Sequence, residues 1–314
     1  MAYTVQLTDV GYIISCLGDA TLHVPASVNF EQSDVLNARV RRVDGEYLIS
    51  ISSNFDPTIN AVMARLVTSA DVLPWLLLDS LERPKGAELL SRLCMEFILA
   101  HEHGHIIGGH VDQLASEEAE TDGISEFNVV SRDDQHASYD ERSQAWEYEA
   151  DIIGAALLDK KIDELIEAVK SQNLADNERT FLGAPEIAVE HVGALAIAAL
   201  YVLFRLMRKT KNELILVGHH PDPLVRAFTC RDVISHRLMQ RYDFDRGRFI
   251  EMMIYHLETF DWAMEDLGYA ASQMADDNGV DHVNDALKNL AKLQSKYHHI
   301  TNNTRWTKWS MSQI

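Results

Sequence analysis

The stretch His101-Glu102-His103-Gly104-His105 carries the residue types and spacing of a metal site with a base beside it. On a helix, two histidines four residues apart project from one face, about 40° apart around the axis. Their neutral imidazoles can then hold one Zn²⁺, and Glu102, next to the first of them, can reach a water on that metal. Zinc brings such a water's pKa to roughly 7, and a neighbouring carboxylate can accept its proton during attack on a carbonyl. The chemistry this spacing implies is hydrolysis. The competing account is a surface helix that is merely rich in histidine.

Positioning that chemistry requires a rigid helix. Leu89, Leu90, Leu93, Cys94, Phe97 and Ile98 recur at i, i+3 and i+4 intervals and lead directly into His101. Pro84-Lys85-Gly86 predicts the start of this helix, and Gly108-Gly109 predicts its end. The H-E-x-x-H pattern therefore falls at the end of a helix anchored in a core. Ahead of it the chain reads as β-rich. Residues 4–7 and 11–14 are short β-branched or aromatic runs, and residues 38–43 and 46–51 flank Asp44-Gly45, a pair suited to a two-residue hairpin turn. Helical spacing begins near Pro57 with Ile59, Val62, Met63 and Leu66. The expected division is a β-rich region over 1–56 and a helical region over 57–314.

Residues 112–142 are polar, mostly acidic and aperiodic, which predicts a long loop. Helix is predicted again from Ser143, then over 162–172, 185–209, 221–241, 246–268 and 280–297. Arg305-Trp306-Thr307-Lys308-Trp309 reads as an aromatic anchor on the core.

A catalytic zinc needs a third protein ligand and an open position. The extended pattern H-E-x-x-H-x-x-G-x-x-H would place a glycine at Gly108, which fits, and a histidine at Val111, which does not. His110 is one residue early, and in a continued helix it would point away from His101. The other source is a carboxylate from the helix holding Glu147-Tyr148-Glu149-Ala150-Asp151. Glu147 and Asp151 share a face there, while Glu149 points to the opposite side. Glu147 could ligate the metal, and Asp151 could accept the outer N–H of a ligand histidine and fix its tautomer. Pro221 and Pro223 mark a helix start, and His220 just before them could hydrogen-bond the oxyanion formed on a scissile carbonyl.

The composition limits the partners. A net charge of −20 over 314 residues argues against a phosphate backbone as partner. Cys16, Cys94 and Cys230 form an odd set without paired spacing, which suits a reducing compartment. The N-terminus lacks a secretory pattern, and the apolar run at 192–204 is too short to span a membrane and predicts a buried helix. The expectation is a cytoplasmic protein without a membrane span.

Taken together, the motifs resemble the gluzincin peptidases of the HtpX and CAAX-prenyl-protease type. That group shows H-E-x-x-H, then E-x-x-A-D on a later helix, then H-P with an arginine five residues after the proline. Here these are His101-Glu102-x-x-His105, Glu147-x-x-Ala150-Asp151 and His220-Pro221 followed by Arg226, and His110 falls where many members carry a histidine. Within that neighbourhood the chain is most similar to the Lit-type phage-exclusion peptidases, in its length, its β-rich start and its E-x-E-A-D motif. The resemblance spans roughly residues 35–240 in outline, with specificity confined to the three motifs.

It implies an α+β, mostly α, zincin fold, with His101, His105 and Glu147 as zinc ligands, Glu102 as general base and His220 in a transition-state role. It further implies a protein substrate, a part in phage defence and an activating trigger protein or peptide. Gly218-His219 stands where the family carries a small hydroxyl residue and threonine. The rival reading is a non-catalytic interaction or regulatory protein with a structural zinc, whose closed site would need a fourth protein ligand such as His110.

Overall fold

A computed structural model describes residues 26–33, 36–68, 82–117, 124–125, 137–173, 181–207 and 223–269, with single helical positions at 286, 288–290, 292, 293 and 296. The runs expected as strands at 4–7 and 11–14, the aromatic tail at 305–309 and His220 lie outside the described residues.

The chain folds on an α+β plan dominated by helix. Strands β1 (Ala26–Glu31), β2 (Ala38–Val43) and β3 (Glu46–Ser52) come first, and a two-residue β4 (Ile124–Ser125) joins them later, giving the sheet order β1-β3-β2-β4. The β2–β3 hairpin forms where its sequence predicts, with β3 one residue longer than expected. Asp44 and Gly45 both take positive φ, 51° and 88°, as a tight hairpin turn demands. β1 pairs with β3 in parallel, Ala26 opposite Tyr47, while β4 runs antiparallel to β2 with Ile124 opposite Val40. One face of the hairpin is buried through Ala38, Val40, Tyr47, Ile49 and Ile51.

The helices are α1 (Phe55–Thr68), α2 (Glu82–Ile107), α3 (His110–Glu117), α4 (Ala137–Lys170), α5 (Ala188–Met207), α6 (Pro223–Arg241) and α7 (Arg246–Asp266). Their buried residues and the sheet's inner face form one hydrophobic core. α2 lies at its centre, packed against α1, α4, α5 and β2. Leu93 to Ala100 are all buried on α2, Glu96 among them with Arg92 as its partner at 2.8 Å. The segment Pro185–Leu206 is long and apolar enough to cross a membrane, with mean hydropathy 2.0, but 94% of its most apolar window is buried inside the protein.

Two expectations are corrected. The predicted loop at 112–142 is in part regular structure: α3 runs to Glu117, β4 pairs with β2, and α4 already begins at Ala137. Val111 and Leu114, three apart and buried, give α3 its apolar side. The helices expected from Ser143 and over 162–172 are one, the 34-residue α4. Asp159-Lys160-Lys161 reads as a polar break, but Asp159 is only 1% exposed and pairs with Arg237 (2.7 Å) and Arg241 of α6. A buried carboxylate with two guanidinium partners does not end a helix.

Candidate metal centre

The site forms where α2 crosses α4, and two glycines set how closely the helices approach. A Cβ on Gly104 would lie 2.8 Å from the Ala150 carbonyl oxygen and 2.9 Å from its Cα. A Cβ on Gly154 would lie 3.1 Å from the backbone N and Cα of His101. The two backbones therefore meet with nothing between them at the level of the H-E-x-x-H turn.

That approach brings Glu147 of α4 to the two histidines of α2. His101 Nε2 is 3.0 Å from His105 Nε2, and Glu147 reaches the same two nitrogens at 3.3 and 3.4 Å. The three ligand atoms all lie within 4.8 Å of one another, and all three residues are buried. Burial pushes the His105 imidazole down to about 4 against the pull of Glu147, so at neutral pH it keeps the lone pair a metal ligand needs. Two imidazoles and a carboxylate converging in the buried interior form a donor set that could hold a metal ion.

The groups behind the donors are equally ordered. Asp151, one turn after Glu147, lies 3.0 Å from His101 Nδ1. Arg226 of α6 grips Asp151 with two bonds of 2.8 Å, lies 3.6 Å from Glu147, and rests over the Phe204 ring. The pair is buried and bidentate, the geometry in which a guanidinium best holds a carboxylate. Glu102 is 1% exposed and follows His101 on α2.

Of the residues anticipated from sequence, His101, His105, Glu147 and Asp151 come together as expected. His220 lies outside the described residues. Two neighbours carry more than the sequence reading gave them. The helix does not continue past Ile107: Gly109 takes φ of 75°, and His110 starts a new helix with its Nδ1 2.9 Å from His105 Nδ1. His110 thus meets the nitrogen of His105 that faces away from Glu147, and it is not a fourth donor. Glu149 is no donor either, yet it bonds His110 Nε2 at 3.2 Å. The helix break Gly108-Gly109 was the signal in the sequence that His110 could fold back.

Comparison with known proteins adds no relative: no protein-family model, no curated protein and no solved structure matches the chain.

Proposed function

We propose that this chain is a zinc-dependent endopeptidase of the gluzincin kind. The observation that carries the reading is the buried trio His101, His105 and Glu147, with Glu102 in the chain position next to a donor. Two imidazoles and one carboxylate are the donor set of catalytic rather than structural zinc sites, which use four protein ligands. His110, the nearest candidate for a fourth, is engaged with His105 and Glu149 instead.

In this reading His101, His105 and Glu147 hold the ion. When bound, zinc supplies Lewis acidity and makes a water acidic near neutral pH. Glu102 takes the proton of the attacking water and returns it to the leaving amine. Asp151, fixed by Arg226, keeps His101 in the tautomer that leaves Nε2 open to the metal. His220 donates to the oxyanion of the tetrahedral intermediate. The substrate is a protein. Because the donors and Glu102 are all buried, substrate entry needs an opening step, which fits an enzyme held closed until a trigger protein or peptide acts. A cytoplasmic location suits Cys94 and Cys230, both reduced and buried.

The test is the metal content of wild type and His101→Ala beside peptidase assays of wild type and Glu102→Gln. One zinc per chain, lost in His101→Ala, with cleavage lost but zinc kept in Glu102→Gln, is the expected result. Full cleavage by Glu102→Gln removes Glu102 as the base, and wild type without zinc overturns the proposal.

A further inference from the structure

Behind the second histidine of the trio stands a chain of contacts that the peptidase reading does not use. His105 turns Nε2 toward His101 and Glu147, and its Nδ1 meets His110 Nδ1 at 2.9 Å. The other nitrogen of His110, Nε2, lies 3.2 Å from Glu149 Oε2. The His110 ring is stacked on Trp146, centroids 5.0 Å apart and 13° from parallel, and Arg142 covers that indole at 4.7 Å. Gly108 makes room for it, since a Cβ there would sit 2.5 Å from His110 Nε2.

A neutral imidazole carries one ring proton, so two facing ring nitrogens at 2.9 Å share a proton that one of them donates. If His105 Nε2 is to present its lone pair, the proton of His105 must sit on Nδ1 and be donated to His110 Nδ1. The proton of His110 must then sit on Nε2, where the Glu149 carboxylate accepts it. Along the His105–His110–Glu149 contacts, only this arrangement gives each contact one proton and leaves His105 Nε2 without one.

We infer that His110 and Glu149 form a positioning relay that locks His105 as its Nδ1–H tautomer and aims its Nε2 at the metal. The two ligand histidines are thus oriented by different devices. His101 leans directly on Asp151 and its arginine, whereas His105 leans on a second histidine that carries the link outward to Glu149. The relay rests on the proposal that this trio binds metal. The tautomer of His105 is a separate observable, read in the protein without the ion.

Two measurements test it. In ring-¹⁵N-labelled, metal-free protein, long-range ¹H–¹⁵N spectra should show His105 as the Nδ1–H tautomer, and His110→Ala should shift it toward Nε2–H. In competition titrations with zinc and a chromophoric chelator, His110→Ala and Glu149→Ala should each weaken zinc binding roughly 10- to 100-fold, the scale of losing a partner behind a metal ligand. The double variant should be no weaker than the worse single one, because both substitutions break the same relay. His110→Asn, whose side-chain oxygen can still accept from His105 Nδ1, should recover most of the loss.

An unchanged tautomer with unchanged affinity in His110→Ala overturns the relay, and so do losses that multiply in the double variant. If His110→Ala does not fold, Glu149→Ala, a milder truncation at a side chain 8% exposed, carries the test alone, and undiminished affinity there refutes the idea. Wild type that binds no zinc overturns the peptidase proposal, while the metal-free spectra still decide whether the relay exists.

Discussion

Replacing Gly104 with alanine sets two effects of opposite sign against each other. In a helix interior, alanine is favoured over glycine by up to about 1 kcal/mol, so a substitution without steric consequence stabilises the protein. Here the new methyl would lie 2.8 Å from the Ala150 carbonyl oxygen, and an ordinary contact begins near 3.4 Å. The obstacle is backbone of α4 and cannot rotate away. The helices must therefore part by roughly half an ångström, and overpacking of this kind costs about 1–3 kcal/mol. The net expectation is a loss of up to about 2 kcal/mol in urea unfolding of the metal-free protein. The same movement shifts Glu147, one turn before Ala150, away from His101 and His105. Metal sites tolerate only about 0.2 Å in ligand distances, so zinc affinity should fall at least roughly tenfold. Gly154→Ala, whose methyl would meet His101 at the looser 3.1 Å, should show both losses in milder form. A Gly104→Ala protein that is more stable than wild type and binds zinc equally well would refute the claim that the helix crossing sets the site.

Asp151→Asn should weaken zinc binding roughly 10- to 100-fold by loosening His101, and it should destabilise the apo protein as well because Arg226 keeps a buried charge with a weakened partner; equal affinity and stability would show that the Asp151–Arg226 pair does not support the site. Removing Glu147 as Glu147→Ala should abolish measurable zinc binding, a larger loss than Glu149→Ala, and equal losses would contradict the donor assignment. Acid should destabilise the fold through His191, whose imidazole is pushed down to about 4 by burial, with Phe181's carbonyl opposing and the His256 ring 5.5 Å away. The unfolded chain takes up the proton near pH 6.5 and the folded chain only near 4, so stability present above 6.5 is lost as pH falls between them, by about 2 kcal/mol from pH 7 to 5. Urea titrations at both pH values should show that difference shrink in His191→Gln; an unchanged difference excludes His191 as a source of acid sensitivity.

What the sequence revealed and what it concealed divide along physical lines. The hairpin was legible because Asp44-Gly45 permits a turn that few dipeptides can make, and the end of α2 was legible for the same reason at Gly108-Gly109. The trio was legible because its residues sit at helical spacings on two separate helices, and spacing fixes a common face. β1 was not, since Ala26–Glu31 is a half-exposed strand, at the sheet edge among the described residues, whose partner β3 lies beyond β2 in sequence, and parallel pairing leaves no turn signal. The unity of α4 was hidden because Asp159 looks like a surface residue until Arg237 and Arg241 of another helix are placed beside it. The role of His110 was missed because a continued helix was the wrong frame: a glycine at positive φ turned the ring back onto His105.

The Asp151–Arg226 pair has a consequence for charge. Around the site four carboxylates, Glu102, Glu147, Glu149 and Asp151, are buried against one buried guanidinium, Arg226. By formal charge these five groups sum to three negative charges. A monovalent cation would leave two and a divalent one leaves a single charge, which the helix interior can spread over hydrogen bonds more readily. A donor must shed any proton before it can bind, so loading a divalent metal and releasing protons are one coupled equilibrium, and the protein's grip on metal rises with pH.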